Sequence, residues 1–130
     1  MKPLILVMLG GGLGAGLRHL VGKLALGALG PALPWGTFAV NILGGLAMGL
    51  LVGALTRFGE TGVPSQANDL RLLLGVGLLG GFTTFSAFSL EAALMIERGQ
   101  LLLASGYAIG SVVASIAALF LGLALMRGIA

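Results

Sequence analysis

The chain has 130 residues, 58% of them hydrophobic, with 24 glycines besides and only 8% charged. Soluble domains run about 45–50% apolar, glycine included, and about 25% charged, so this chain cannot coat a water-facing surface and an ordinary soluble domain is excluded. The net charge of +3 comes from seven Lys or Arg and four Asp or Glu, scattered without the basic run and interleaved aromatics that track a nucleic-acid backbone. With no cysteine and a single histidine, disulfides, zinc sites and thiol catalysis have no material.

A helix crossing a ~30 Å hydrocarbon core takes about 20 residues. The apolar runs are far longer than the ~10-residue alternating segments of an outer-membrane barrel, so the fold class is an all-α membrane protein, one four-helix domain over residues 1–130. Lys2 and the apolar Pro3–Leu17 resemble the start of a secretory signal, but Arg18, His19 and Lys23 fall where a cleavage region needs small neutral residues. The first span is therefore read as residues 4–26.

Gly30-Pro31 and Pro34 punctuate a short link, and Trp35 then stands as an interfacial anchor at the head of a second span, residues 35–55. Between Arg57 and Arg71 the residues Glu60, Pro64, Gln66, Asn68 and Asp69 have the composition of a loop. The third span is read as residues 70–96 and ends at the turn Glu97–Gln100; the fourth, residues 101–126, is free of charge. An even span number puts both termini on one side, with Lys2, Arg57, Arg71 and Arg127 there against Arg18, Lys23 and Arg98 opposite. That bias favours termini inside by so small a margin that insertion in both orientations stands as the alternative.

Small residues repeat at helical spacing, as Gly45, Gly49 and Gly53 in the second span and Gly106, Gly110, Ala114, Ala118 and Gly122 in the fourth. Such stripes let helix backbones touch, which is how membrane helices pack. Extensive helix–helix contact and a homo-oligomer are expected from them.

The polar residues left inside the spans hold the chemical information, because an unpaired polar group in hydrocarbon costs several kcal/mol. Asn41 can bridge helices, or its amide can donate to an anion with Gly44 and Gly45 leaving room beside it. In the third span Gly80-Gly81 precedes Thr83, Thr84, Ser86 and Ser89 interleaved with Phe82, Phe85 and Phe88. Either the helix breaks there, freeing carbonyls that can hold a cation, or the hydroxyls bond back within an intact helix. Phe85 and Phe88, three apart, share a face, and the positive edge of a phenyl ring can favour an anion without a fixed charge. Tyr107, Ser111 and Ser115 form one stripe of hydroxyl donors on the fourth span. Arg18 either snorkels to the interface or lines a positive vestibule. With no acid deep in spans one, two or four, proton-coupled transport and cation conduction are disfavoured.

Three blocks, residues 11–19 (GGLGAGLRH), 36–44 (GTFAVNILG) and 80–91 (GGFTTFSAFSLE), resemble the small fluoride channel family called Fluc or CrcB, over essentially the whole chain. The resemblance implies an antiparallel, dual-topology homodimer in the cell's inner membrane, with the third helix broken mid-membrane. It implies two fluoride pores and a structural sodium ion at the dimer centre, held by backbone carbonyls of Gly80 and Thr83. Carried over by motif, Asn41, Thr84, Phe85, Ser86, Phe88, Tyr107, Ser111 and Ser115 line the fluoride pathway and Arg18 its vestibule. Ala87 departs from the family, where a threonine is common. The implied activity is passive export of cytoplasmic fluoride, protecting against its toxicity, with no enzymatic step. The alternative is a small multidrug-type, proton-coupled exporter, which needs a membrane-embedded carboxylate absent from the first span. A purely structural subunit leaves Asn41 and the polar cluster without purpose.

Overall fold

A computed structural model describes residues 1–61 and 64–128 and is helical almost throughout. Helix α1 spans Lys2–Leu29, α2 Trp35–Thr61 and α3 Pro64–Leu70; a wide-turn segment, π1, spans Arg71–Leu79, followed by α4 Gly80–Phe82, α5 Phe85–Glu97 and α6 Leu101–Gly128. Four stretches are long and apolar enough to cross a membrane: Lys2–Leu29, Trp35–Arg57, Pro64–Glu97 and Leu101–Gly128. Large apolar side chains such as Leu13, Leu24, Leu102, Ile109 and Phe120 are exposed along them, the inverse of a soluble protein and what lipid as solvent requires.

The helix ends follow local chemistry. Pro3 sits in the first turn of α1, where its missing N–H is no loss. Gly30, at φ 78°, and Gly99, at φ 77°, take the left-handed conformation that ends a helix and that glycine adopts without strain. The stretch between Arg57 and Arg71, read as a loop, is helical over most of its length: α2 continues to Thr61 and α3 begins at Pro64, with residues 62–63 outside the described residues. Polar composition marks where these helices leave the lipid rather than where they unwind. On this side Lys2 Nζ pairs with Asp69 at 2.6 Å and Arg57 donates to the Met126 carbonyl at 3.2 Å, tying both ends of the chain to the link between spans two and three.

The protomer is held by two glycine seams. In the first, α2 packs on α6: a Cβ on Gly45 would lie 2.6 Å from the Ser115 carbonyl oxygen, and one on Gly122 2.7 Å from the Leu50 nitrogen, while Gly49 faces the Leu119 carbonyl. In the second, α1 packs on π1 and α4: Gly10 faces the Leu73 carbonyl, Gly14 the Leu78 carbonyl, and Gly81 the Gly11 carbonyl. Backbones this close leave no space for any side chain. Of the α6 stripe only Gly122 is used this way; Gly106 and Gly110 face open space.

The third span is interrupted twice. Through π1 the helix widens, and the Gly80 N–H reaches the Gly75 carbonyl five residues back. Three residues later the helix stops: Thr83 (φ −85°, ψ 160°) and Thr84 (φ −151°, ψ 125°) are extended before α5 starts. The break therefore lies after the Gly80-Gly81 pair, which is itself helical.

Candidate functional site

The break is built by a residue from another helix. An unbroken helix would aim the Thr84 N–H at the Gly80 carbonyl; here it donates to Asn41 Oδ1 at 2.8 Å, and Asn41 Nδ2 donates back to the Thr84 carbonyl at 3.0 Å. The Asn41 side chain thus reproduces the pairing of a backbone amide and holds the extended pair to α2. Thr84 also caps α5, its Oγ1 accepting from the Ala87 N–H at 3.2 Å, a typical N-cap role. That N–H is the donor an intact helix would have given to the Thr83 carbonyl. Gly80 and Thr83, the two carbonyls singled out from the sequence, are therefore those whose regular donors have been diverted. The alternative of back-bonding is realised beside the break rather than instead of it: Thr83 Oγ1 donates to the Leu79 carbonyl at 2.9 Å and Ser89 Oγ to the Phe85 carbonyl at 2.8 Å.

Next to the break a cavity of about 370 Å³ is lined by Asn41, Thr83, Thr84, Phe85, Phe88, Ser111 and Ser115, with Met48, Val112, Ile116 and Leu119 as apolar wall. The Ser111 and Ser115 hydroxyl oxygens are buried and have no hydrogen-bond partner among the described residues. A buried hydroxyl without a partner costs free energy, so two of them one turn apart mark a place that something else satisfies. Asn41 keeps one amide hydrogen beyond the one given to Thr84. The Phe85 and Phe88 rings lie 5.7 Å apart, and Phe85 is 78% exposed, so this wall is open in the single protomer. Gly44 lies against the Thr83 methyl; its small size seats the break against α2 as well as giving room beside Asn41.

Three of the expected site residues lie elsewhere. Ser86 is exposed and its Oγ is 3.3 Å from Thr84 Oγ1, off the cavity lining. Arg18 donates from Nε to the Gly81 carbonyl at 3.0 Å, tying α1 to the last helical turn before the break. Tyr107 packs on Phe88, ring centroids 5.3 Å apart, but its hydroxyl donates to Glu91 Oε2 at 2.7 Å. The other oxygen, Glu91 Oε1, accepts from Thr37 Oγ1 at 2.7 Å.

Glu91 and Thr37 are the functional candidates that sequence reasoning passed over. The available signal was that Glu91 is a carboxylate inside the apolar third span, a position that is costly and calls for named partners. In place, it joins α5 to α2 and α6 and engages the hydroxyl protons of both Thr37 and Tyr107. Neither hydroxyl can then donate to an anion while the carboxylate is charged.

Comparison with known proteins agrees with this arrangement. Residues 5–123 match the family model described as CrcB-like protein, camphor resistance. Three proteins named fluoride-specific ion channel FluC align over nearly their whole length. The one from Novosphingobium aromaticivorans is 56% identical over 126 residues, 95% of each chain. That from Chelativorans sp. is 56% identical over 129 residues, 99% of each chain, and that from Phenylobacterium zucineum 57% identical over 127 residues, 98% of this chain and 97% of its own. A chain that shares its sequence with these channels from end to end, and whose one broken span is pinned by the asparagine of the second matching block, belongs to the CrcB family.

Proposed function

We propose that this chain is a passive, fluoride-selective channel of the inner membrane that lets cytoplasmic fluoride leave down its electrochemical gradient. The observation that carries the reading is the pair of buried, unpartnered hydroxyls, Ser111 and Ser115, facing Asn41 and two phenyl rings across one cavity. Fluoride is small and strongly hydrated, so a path through lipid must exchange its water for other donors. The serine hydroxyls and the free Asn41 N–H supply them, and ring edges add partial positive charge without a fixed cation that would trap the ion. Nothing in this scheme consumes energy or makes a bond, in keeping with a non-enzymatic family.

The functional unit in this reading is an antiparallel homodimer inserted in both orientations. The exposed Phe85 ring and the open wall of the cavity support it, because a second copy would close what one protomer leaves bare. A sodium ion at the dimer centre fits the donor set on chemical grounds: the Gly80 and Thr83 carbonyls are hard oxygens deprived of their usual helical donors, and unwound carbonyls of this kind suit such a cation. When bound it would supply positive charge that holds the two broken spans together. The proton-coupled exporter is the weaker reading, since its membrane carboxylate would have to be Glu91, already bonded to two hydroxyls, and the relatives carry the fluoride channel name.

The test is efflux from liposomes loaded with potassium fluoride or potassium chloride and triggered with valinomycin. Fast fluoride release with negligible chloride release is expected. No fluoride release from folded protein would end the channel reading, and the same vesicles would then be assayed for proton-coupled uptake of an aromatic cation.

A further inference from the structure

Arg18, His19 and Lys23 stand along one side of α1 and, with Ala15, Gly22 and Leu26, line a groove of about 490 Å³. No carboxylate lines it, and among the described residues none of the three enters an ion pair. Unpaired cationic side chains within a membrane span are costly unless they face water or an anion. Their heights are ordered. Lys23 lies six residues inside the Leu29 end of α1, about 9 Å along the axis, and Arg18 is about 7.5 Å deeper, where it bonds the Gly81 carbonyl beside the break.

The groove also leads somewhere. It shares Gly22 and Leu26 with a second cavity of about 210 Å³ that reaches Thr37 and Glu91. Glu91 bonds Tyr107, and the Tyr107 ring packs on Phe88 of the main cavity. A row of basic groups therefore descends from the membrane boundary to the edge of the candidate pathway.

We propose that this groove is an anion antechamber in which Lys23, with His19 beside it and Arg18 below, concentrates small hydrated anions before they meet the dehydrating hydroxyls. The proposal rests on the channel reading and adds the residues that feed it. Low-dielectric walls focus the field of a few charges and raise local counter-ion concentration. The groove has no enclosing cage of donors, so it enriches anions without binding them tightly.

The experiment is fluoride current through single channels in planar bilayers for wild type, Lys23→Gln, Lys23→Glu and Lys23→Arg. Fluoride is held constant while an impermeant salt raises the ionic strength from about 0.01 M to about 1 M, shrinking the Debye length from about 30 Å to about 3 Å. At low salt Lys23→Gln is expected to lower the current about two- to fivefold and Lys23→Glu more, with the differences collapsing at high salt; Lys23→Arg restores the wild-type salt dependence. Equal currents for Lys23→Glu and wild type at every ionic strength overturn the antechamber, whereas a wild type that passes no fluoride overturns the channel reading itself. A defect seen only in bilayers containing phosphatidylglycerol, and absent in phosphatidylcholine alone, would assign the groove to a lipid headgroup phosphate and also overturn the proposal. Lys23 is exposed, and Lys23→Gln keeps the test available where Lys23→Glu inserts poorly.

Discussion

The α2–α6 seam and the break in the third span both join α2 to a neighbour, and they do so by opposite means. Along the seam, Gly45, Gly49 and Gly122 bring backbones into contact with hardly a polar group involved; the attraction is dispersion, weak per atom pair and summed over the length of two helices. At the break, one side chain, Asn41, makes two hydrogen bonds that no other described residue duplicates. The seam tolerates no added atom but draws on many contacts. The break draws on few contacts, each indispensable, and leaves donors over for an ion. Rigidity is thus concentrated where the helices are glycine-lined, and chemistry where the ladder of backbone bonds is cut.

Substitutions should separate the two regions. The largest effect is expected for Gly49→Leu, whose side chain would collide with the Leu119 carbonyl, a backbone atom that cannot swing aside. Overpacking typically costs about 1–3 kcal/mol and more where backbone must move, so the variant should fail to give a monodisperse peak in detergent; a well-folded, fluoride-conducting Gly49→Leu would break the distinction. Asn41→Ala comes next. It strands the Thr84 N–H and carbonyl at a cost of about 1–3 kcal/mol each, so thermal denaturation should shift down and fluoride efflux should fall at least tenfold. Normal efflux there would mean that the break holds without its staple. The smallest effect on stability is expected for Ser111→Ala, which removes a hydroxyl that bonds nothing in the protomer. Its melting temperature should stay level or rise slightly while efflux falls several-fold; a lower melting temperature with normal efflux would make Ser111 a packing residue.

The four spans were legible from composition because lipid as solvent rewards apolar length directly. So was the membership of Gly45, Gly49 and Gly53 in a packing stripe. The position of the break was displaced by three residues for a physical reason: Gly80-Gly81 looks like a flexible pair, yet Gly81 is held helical against Gly11, with its carbonyl bonded by Arg18. The diverted donor that stops the helix comes from Asn41, 43 residues away from Thr84, a partnership that no local pattern encodes. Tyr107 teaches the same lesson. Its place in the stripe with Ser111 and Ser115 is correct as helical geometry, but its hydroxyl answers to Glu91 on a different helix. The link read as a loop failed because polar composition reports contact with water, which helix ends share with loops.

The wide turn of π1 carries a consequence for the length of the chain. Deleting a single residue between Arg71 and Leu79 would let the segment relax to ordinary α-helical spacing, and each residue of an α-helix is worth about 100° of rotation. Everything downstream would then turn by that angle relative to α1 and α2, carrying Thr84 away from Asn41 and the Phe85–Phe88 face away from α6. The nine residues of π1 thus act as a phase setter, and an insertion or deletion there would be read out as a misaligned pore rather than as a shorter helix.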